Sequence, residues 1–444
     1  MRYLKDLTEG KPLRVLWNFS IPMFISVIFQ QLYNIADSVI AGKFAGEDAL
    51  AAVGASYPIT MIFMAIAIGS NIGCAVVISQ LYGAKQYGKM KTAILTTLLS
   101  SAVLSLLLTG LGLAGTRGLM DMIHTPANIF EEGAVYLRIY IAGFLFLYLY
   151  NVGTGVFTSL GDSKTPLYFL IGSSLGNIVL DYLFVAVFQW GVPGVAWATF
   201  LAQGVACVLA LLTLYWKIRQ IQTGEKTLFF SFEMLKKISA IAVPSILQQS
   251  FVSVGNIFIQ SLINGFGSSV IAGYSAAIKL NTFAITSFTT LGNGISSFTA
   301  QNLGAGKLGR IRDGLFAGIR IGVLVALPFV FCFFGIGKSM MGLFLEDGSV
   351  EAMQTGVEFL RIVSPFYLVI SMKLAADGVL RGTGKMKMFM VSTFTDLILR
   401  VILAYLFAYF GGVTEIWLSW PIGWTIAMVL SVGFAWKVIK DTRY

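Results

Sequence analysis

The chain has 444 residues, of which 57% are hydrophobic and only 12% charged, with a net charge of +10. Soluble domains carry roughly 25% charged residues, so this composition, with a mean hydropathy of +0.80, excludes a water-soluble fold. The excess of positive charge would suit a nucleic-acid partner, but its distribution along the chain excludes that reading as well.

A helix crossing about 30 Å of hydrocarbon needs about 20 apolar residues, and such runs fill most of the sequence. In chain order they predict spans at 15–42, 53–80, 93–115, 134–158, 167–188 and 195–216. A second set follows at 238–264, 270–300, 314–336, 360–380, 388–410 and 418–437. Runs such as 98–113 and 321–336 are apolar all round and lack the period-two alternation of barrel strands. The predicted fold is an all-α integral membrane protein with about twelve transmembrane helices. The polar start, Met1 to Asp6, is not followed by an apolar stretch with a small-residue cleavage site, so no cleaved signal peptide is expected. Cys74, Cys207 and Cys332 all fall within predicted spans and read as free buried thiols.

Lys and Arg alternate between connections. They crowd both termini (Arg2, Lys5, Lys11, Arg14, Lys440, Arg443) and every connection after an even-numbered span, as at Lys85, Lys89, Lys226, Lys307 and Lys385. The opposite side holds only Lys43, Arg117 and Lys338. This is the positive-inside bias, and it predicts a multi-pass protein of the cell membrane with both termini in the cytoplasm.

The sequence repeats itself at a shift of about 222 residues. Ile21-Pro22 meets Val243-Pro244 and Asn34 meets Asn256. One gap later, Gly73 meets Gly294, Gln80 meets Gln301, Gly83-Ala84 meets Gly304-Ala305 and Gly88-Lys89 meets Gly309-Arg310. Further on, Gly161 meets Gly382 and Lys164 meets Lys385. The shift moves six spans, an even number, so the halves are parallel repeats forming two pseudo-symmetric six-helix bundles, a common build for secondary transporters. The expected lobes are 1–216 and 238–444, joined by a mostly polar cytoplasmic linker at 217–237.

Ionisable groups at mid-membrane are costly and need a partner or water. In the first half, Tyr33 and Asp37 are four residues apart on one face of the first span, and Asn177 and Asp181 on one face of the fifth. Thr199 lies in the sixth. Neither acid has a base at helical spacing on its own helix, so these oxygens suit a cage for Na⁺ or a proton carrier. The second half differs. Lys373, Asp377 and Arg381 run at i, i+4, i+8, Asp396 and Arg400 at i, i+4, and Lys279 lies in the eighth span. Internal ion pairing is the expectation there, with an exchange of Lys279 among the acids as the other reading. Asn34, Gln248, Gln249 and Asn256 add uncharged polar groups that are candidates for lining a cavity. No phosphate-binding loop is present, and the single histidine, His124, falls in an outer loop. No catalytic centre, structural metal or cofactor is expected.

Four features together carry a family resemblance. They are Pro22 with Asn34-Ile35-Ala36-Asp37-Ser38-Val39-Ile40-Ala41-Gly42; Gln80-Leu81-Tyr82-Gly83-Ala84 with Gln301-Asn302-Leu303-Gly304-Ala305; Leu160-Gly161-Asp162 with Arg381-Gly382-Thr383; and Asn177 with Asp181. In this order, within a 6+6 repeat, the chain resembles the multidrug and toxic compound extrusion (MATE) transporters over essentially its whole length. The resemblance implies a V-shaped pair of six-helix bundles and, as a monomer, export of organic cations and amphipathic compounds in exchange for H⁺ or Na⁺. It also implies a coupling-cation site at Asp37, Asn177, Asp181 and Thr199, with Tyr33 beside it. Some members add acids on the seventh and tenth spans; here Gln248, Gln249 and Ile370 stand near those positions, which favours a first-half site alone. A flippase for lipid-linked oligosaccharides is the nearest alternative, with Lys279, Lys373 and Arg400 lining a cationic cavity, and a channel or receptor the more distant one.

Overall fold

The computed structural model describes residues 6–45, 47–342, 344–345 and 350–441. Arg2, Lys5 and Arg443, counted above among the basic termini, lie outside these ranges. The first half contains α1 (Pro12–Ile40), α2 (Glu47–Gly83), α3 (Tyr87–Met122), α4 (Phe130–Ala142), α5 (Phe144–Ser159), α6 (Lys164–Asp181) and α7 (Val192–Gln220). The second contains α8 (Phe232–Asn264), α9 (Ser268–Gly304), α10 (Leu308–Gly335), the short α11 (Gly337–Met341), α12 (Val350–Val363), α13 (Tyr367–Gly382), α14 (Met386–Phe410), the short α15 (Val413–Ile416) and α16 (Ser419–Asp441). Among the described residues no strand occurs.

Among the described residues ten segments are long and apolar enough to cross a membrane, and α4 with α5, bent by 46° at Gly143, makes an eleventh. The remaining expected span is α9. It has 37 residues, ample length, but a more polar sequence, and much of it is buried, including Asn281, Ser296, Thr299, Gln301 and Asn302.

The turns explain part of the repeat. After α2, Gln86 N–H donates to Leu81 O at 3.0 Å across Lys85 (φ 57°); after α9, Lys307 N–H donates to Asn302 O at 2.9 Å across Gly306 (φ 69°). The two helix ends close identically, but the first places a lysine where glycine belongs. The left-handed region costs an L-residue about 1–2 kcal/mol. Lys85→Gly is therefore expected to raise stability by about 0.5–1 kcal/mol net of glycine's extra chain entropy. A thermal melt in detergent checks this, and an unchanged or lower midpoint would contradict it.

The later pairing needs correction. Asp162 N–H donates to Phe157 O across Gly161 (φ 77°), and Lys385 N–H donates to Leu380 O across Gly384 (φ 74°). Gly161 thus matches Gly384, and Lys385 matches Asp162 rather than Lys164. Gly382 serves packing instead. It lies at the end of α13 against α9, where a Cβ would stand 2.5 Å from Ser296 O.

Packing divides the chain into two units: Met1–Asp6 with Ile25–Ser250, and Leu7–Phe24 with Phe251–Tyr444. The boundaries cut through α1 and α8. In unit 1 the opening half of α8 packs on α2, where glycines allow backbone contact: a Cβ on Gly69 would stand 2.5 Å from Ile246 N and one on Gly73 2.7 Å from Ala242 Cα. In unit 2 the opening half of α1 packs on α9, with Gly294 facing Ser20, Phe19 and Met23. Small residues of this kind set helix approach in membranes. Gly73→Val should cost about 1–3 kcal/mol through overpacking, read as a lowered melting midpoint and loss of the monodisperse peak; a wild-type melt would refute the close approach.

The segment before α1 is tied down in unit 2. Leu7 N–H donates to Gln301 Oε1 at 3.0 Å, Lys307 Nζ to Thr8 O at 2.9 Å, and Arg310 Nη1 to Gly10 O at 2.6 Å. These contacts give the Gln301-Asn302 and Arg310 motifs a structural role. In unit 1, Asp162 caps α6 by accepting from the Lys164 and Thr165 N–H groups at 3.1 and 3.0 Å, and it is ion-paired with Lys217 at the end of α7.

Candidate functional site

Unit 1 brings Tyr33 and Asp37 from α1, Asp181 from α6 and Thr199 from α7 into one cluster, with Asn177 one turn before Asp181 on α6. The carboxyl groups of Asp37 and Asp181 face each other within hydrogen-bonding reach. The Tyr33 hydroxyl lies within reach of Thr199 and close to both acids. Asp181 is fully buried and Asn177 only 2% exposed, while Asp37 is half-buried.

Helix geometry changes next to each acid. After Ile40, α1 passes into a π-helical stretch, Ala41–Ala45, and α6 passes directly from Asp181 into another, Tyr182–Val187. Single π turns are uncommon and recur at functional sites. Residue type does not mark either stretch, because a π turn shifts the hydrogen-bond register without requiring particular side chains.

Five polar atoms here are shielded from solvent without a hydrogen-bond partner among the described residues: Asp37 Oδ1, both oxygens of Asp181, and Oδ1 and Nδ2 of Asn177. None of the described ion pairs involves either acid. Buried, unsatisfied polar groups cost about 1–3 kcal/mol each, more when charged. Two facing carboxylates also repel when both are ionised. A proton shared between them, or a small cation held by both, removes the two penalties together.

The sequence reading missed Tyr136. Its ring on α4 lies near both acids and Tyr33, and it borders a narrow cavity of about 20 Å³, room for one water or a bare cation. Thr199, Tyr140, Phe200 and Gln203 also line that cavity. A tyrosine in an apolar helix carries no periodic signal that marks it out.

The other polar candidates are dispersed. Asn34 is exposed and its Nδ2 donates to Gln31 Oε1 at 3.3 Å. Gln248 and Gln249 are half-buried in unit 1, whereas Asn256 is exposed in unit 2.

Unit 2 encloses its charges differently. Lys373 Nζ lies 2.6 Å from Asp377 Oδ2 and 3.2 Å from Thr393 Oγ1. Ser431 donates to Asp377 Oδ1 at 2.7 Å and lies 2.9 Å from Ser392 Oγ. Arg381 is 3% exposed, its guanidinium 5.4 Å from the Phe389 ring centre, with Asp377 as its attracting acid. Arg400 lies 3.9 Å from Asp396 and 5.9 Å from the Trp420 ring centre. Lys279 stands apart from this network, exposed, 5.8 Å from the Phe344 ring centre.

The fold and this cluster define a polytopic helical membrane protein of two related bundles, one of them holding a pair of facing acids with no basic partner among the described residues. The family model described as MatE matches residues 22–183 and again 244–406, the two segments starting at Pro22 and Pro244. The chain belongs to the MATE family of multidrug efflux transporters. It is 27% identical to "Probable multidrug resistance protein YoeA" of Bacillus subtilis (strain 168) over 98% of both chains. It is 25% identical to an "FAD transporter" of Shewanella oneidensis over 92% of this chain and 91% of that protein. Among solved structures it resembles a MOP superfamily transporter from Pyrococcus furiosus Vc1 (DSM3638), with a TM-score of 0.93, 24% identity, and 99% of this chain and 98% of that one covered. An outward-facing multidrug resistance MATE transporter gives the same values. At that identity the likeness concerns the fold.

Proposed function

We propose that this protein is a cation-coupled antiporter of the cell membrane that exports cationic or amphipathic compounds in exchange for H⁺ or Na⁺. Asp37 and Asp181 bind the coupling cation, Asn177 and Thr199 supply neutral oxygens, and Tyr33 and Tyr136 close the site. The observation that carries this reading is the pair of facing carboxyl groups one turn from Asn177, matched by no base among the described residues. Cation and cationic compound then compete for one negative region, so entry of the first favours release of the second. The basic connections lie in the cytoplasm, with both termini, and the working unit is a monomer.

A lipid-linked oligosaccharide flippase needs a cationic cavity. Lys373 and Arg400 are each matched by an acid one turn away on the same helix, which weighs against that reading and leaves it only the exposed Lys279.

Ethidium efflux from everted vesicles, with Na⁺ and H⁺ gradients imposed one at a time, tests the proposal. One gradient alone is expected to drive efflux. Efflux that persists with both collapsed would overturn it.

A further inference from the structure

We propose that the connection between α7 and α8, together with the basic end of α3, is a docking site for an anionic phospholipid. Lys91 and Arg219 hold its phosphate, and Phe229 and Phe232 meet its acyl chains. The proposal takes the basic side as cytoplasmic but needs no assumption about the coupling ion or the exported compound.

The sequence suggested a mostly polar linker. Its second part is neither free nor polar. Glu225 Oε2 accepts from Gly88 N–H, Leu228 N–H donates to Thr92 Oγ1, and Ser231 N–H donates to Thr96 Oγ1, each at 3.0 Å. From Gly88 to Thr96 is eight residues, about 12 Å along a helix axis. The segment therefore descends along α3 away from its basic end and toward the apolar body of the helix. Along that descent Leu228 is 46%, Phe229 71% and Phe232 78% exposed. Large aromatic groups presented at this depth belong against lipid, as in segments that lie in the membrane interface.

Above them is a recess of about 570 Å³ lined by Lys91, Arg219, Ile221, Gln222, Thr223 and Gly224. Lys91 and Arg219 take part in none of the ion pairs among the described residues. The acids of this connection are otherwise engaged: Glu225 on the Gly88 N–H, and Glu233 with Lys237 at 2.6 Å. Tyr215 and Trp216, one turn before Arg219, are 58% and 59% exposed. Exposed Tyr and Trp at a span's end mark headgroup level. Two unmatched cations at that level, with exposed phenyl groups below, fit an amphiphile with an anionic head. Basic pockets at the ends of spans on the cytoplasmic side bind such headgroups. Free phosphate would engage only the upper part.

The test is native mass spectrometry of the full-length, detergent-purified protein titrated with dioleoylphosphatidylglycerol or dioleoylphosphatidylcholine. The wild type should retain the anionic lipid in preference to the zwitterionic one. K91Q/R219Q should reduce retention roughly tenfold or more, K91R/R219K should keep it, and F229S/F232S should weaken it while leaving both cations in place. Equal retention of the two lipids, or loss in neither the charge nor the phenylalanine variant, would overturn the proposal. So would full displacement by millimolar inorganic phosphate, which would identify a free-anion site. Lipid retention is read without transport, so its failure is distinct from failure of the antiport reading.

Discussion

Asp37→Asn is expected to abolish gradient-driven ethidium efflux while leaving the protein folded. The substitution keeps side-chain volume and removes one of two carboxylates facing a shared cation. For unit charges about 4 Å apart, that interaction is on the order of 4 kcal/mol at an effective dielectric near 20, roughly a thousandfold in cation affinity. The change also removes the electrostatic repulsion with Asp181, so the melting midpoint should hold or rise. Proteoliposomes loaded with ethidium, with the driving gradient imposed across them, give the readout. Efflux and coupling at wild-type levels would mean that Asp37 does not bind the coupling cation, whatever Asp181 does.

Asp377→Asn and Lys373→Met are expected to differ sharply in stability, although each breaks the same ion pair. Three charged groups share the centre of unit 2: Lys373, Asp377 and Arg381, at 3%, 1% and 3% exposure. Lys373→Met leaves Asp377 with Arg381 and the Ser431 hydroxyl, and the charges balance. Asp377→Asn leaves two buried cations with no acid between them. Removing one partner of a buried pair costs about 3–5 kcal/mol, and here the second cation adds to the loss. Asp377→Asn should melt far lower in detergent and accumulate poorly, with Lys373→Met closer to wild type. Equal losses would show that Arg381 does not share Asp377.

Much of this was legible in the amino-acid sequence, and for definite reasons. Hydrocarbon thickness fixes span length, so composition alone outlined the helices. Loop charge alternates with topology, so the placement of Lys and Arg predicts which connections face the cytoplasm. Asp37 and Asp181 stood out because an acid within an apolar helix is costly and neither had a base at i+4. The i, i+4 spacing of Lys373 with Asp377, and of Asp396 with Arg400, likewise anticipated their proximity. What escaped notice lacks a one-dimensional signature. A π turn changes hydrogen-bond register without changing residue type. Gly73 and Gly294 announce close packing but not against which helix. Two glycines in Arg381-Gly382-Thr383-Gly384 offered two alignments, and only the left-handed backbone of Gly384 selects between them. Phe229 and Phe232 stand in a connection whose composition reads as mostly polar, and only their exposure along α3 sets them apart.

The exchanged opening halves of α1 and α8 bear on assembly. Each compact unit is completed by a half-helix encoded in the other half of the gene. A chain severed in the connection after α7 would yield two fragments, each lacking a structural part and carrying its counterpart's. Because each fragment lacks a packed half-helix that the other carries, co-expression of the two is expected to restore folding that neither achieves alone, as exchange of an element does between swapped protomers.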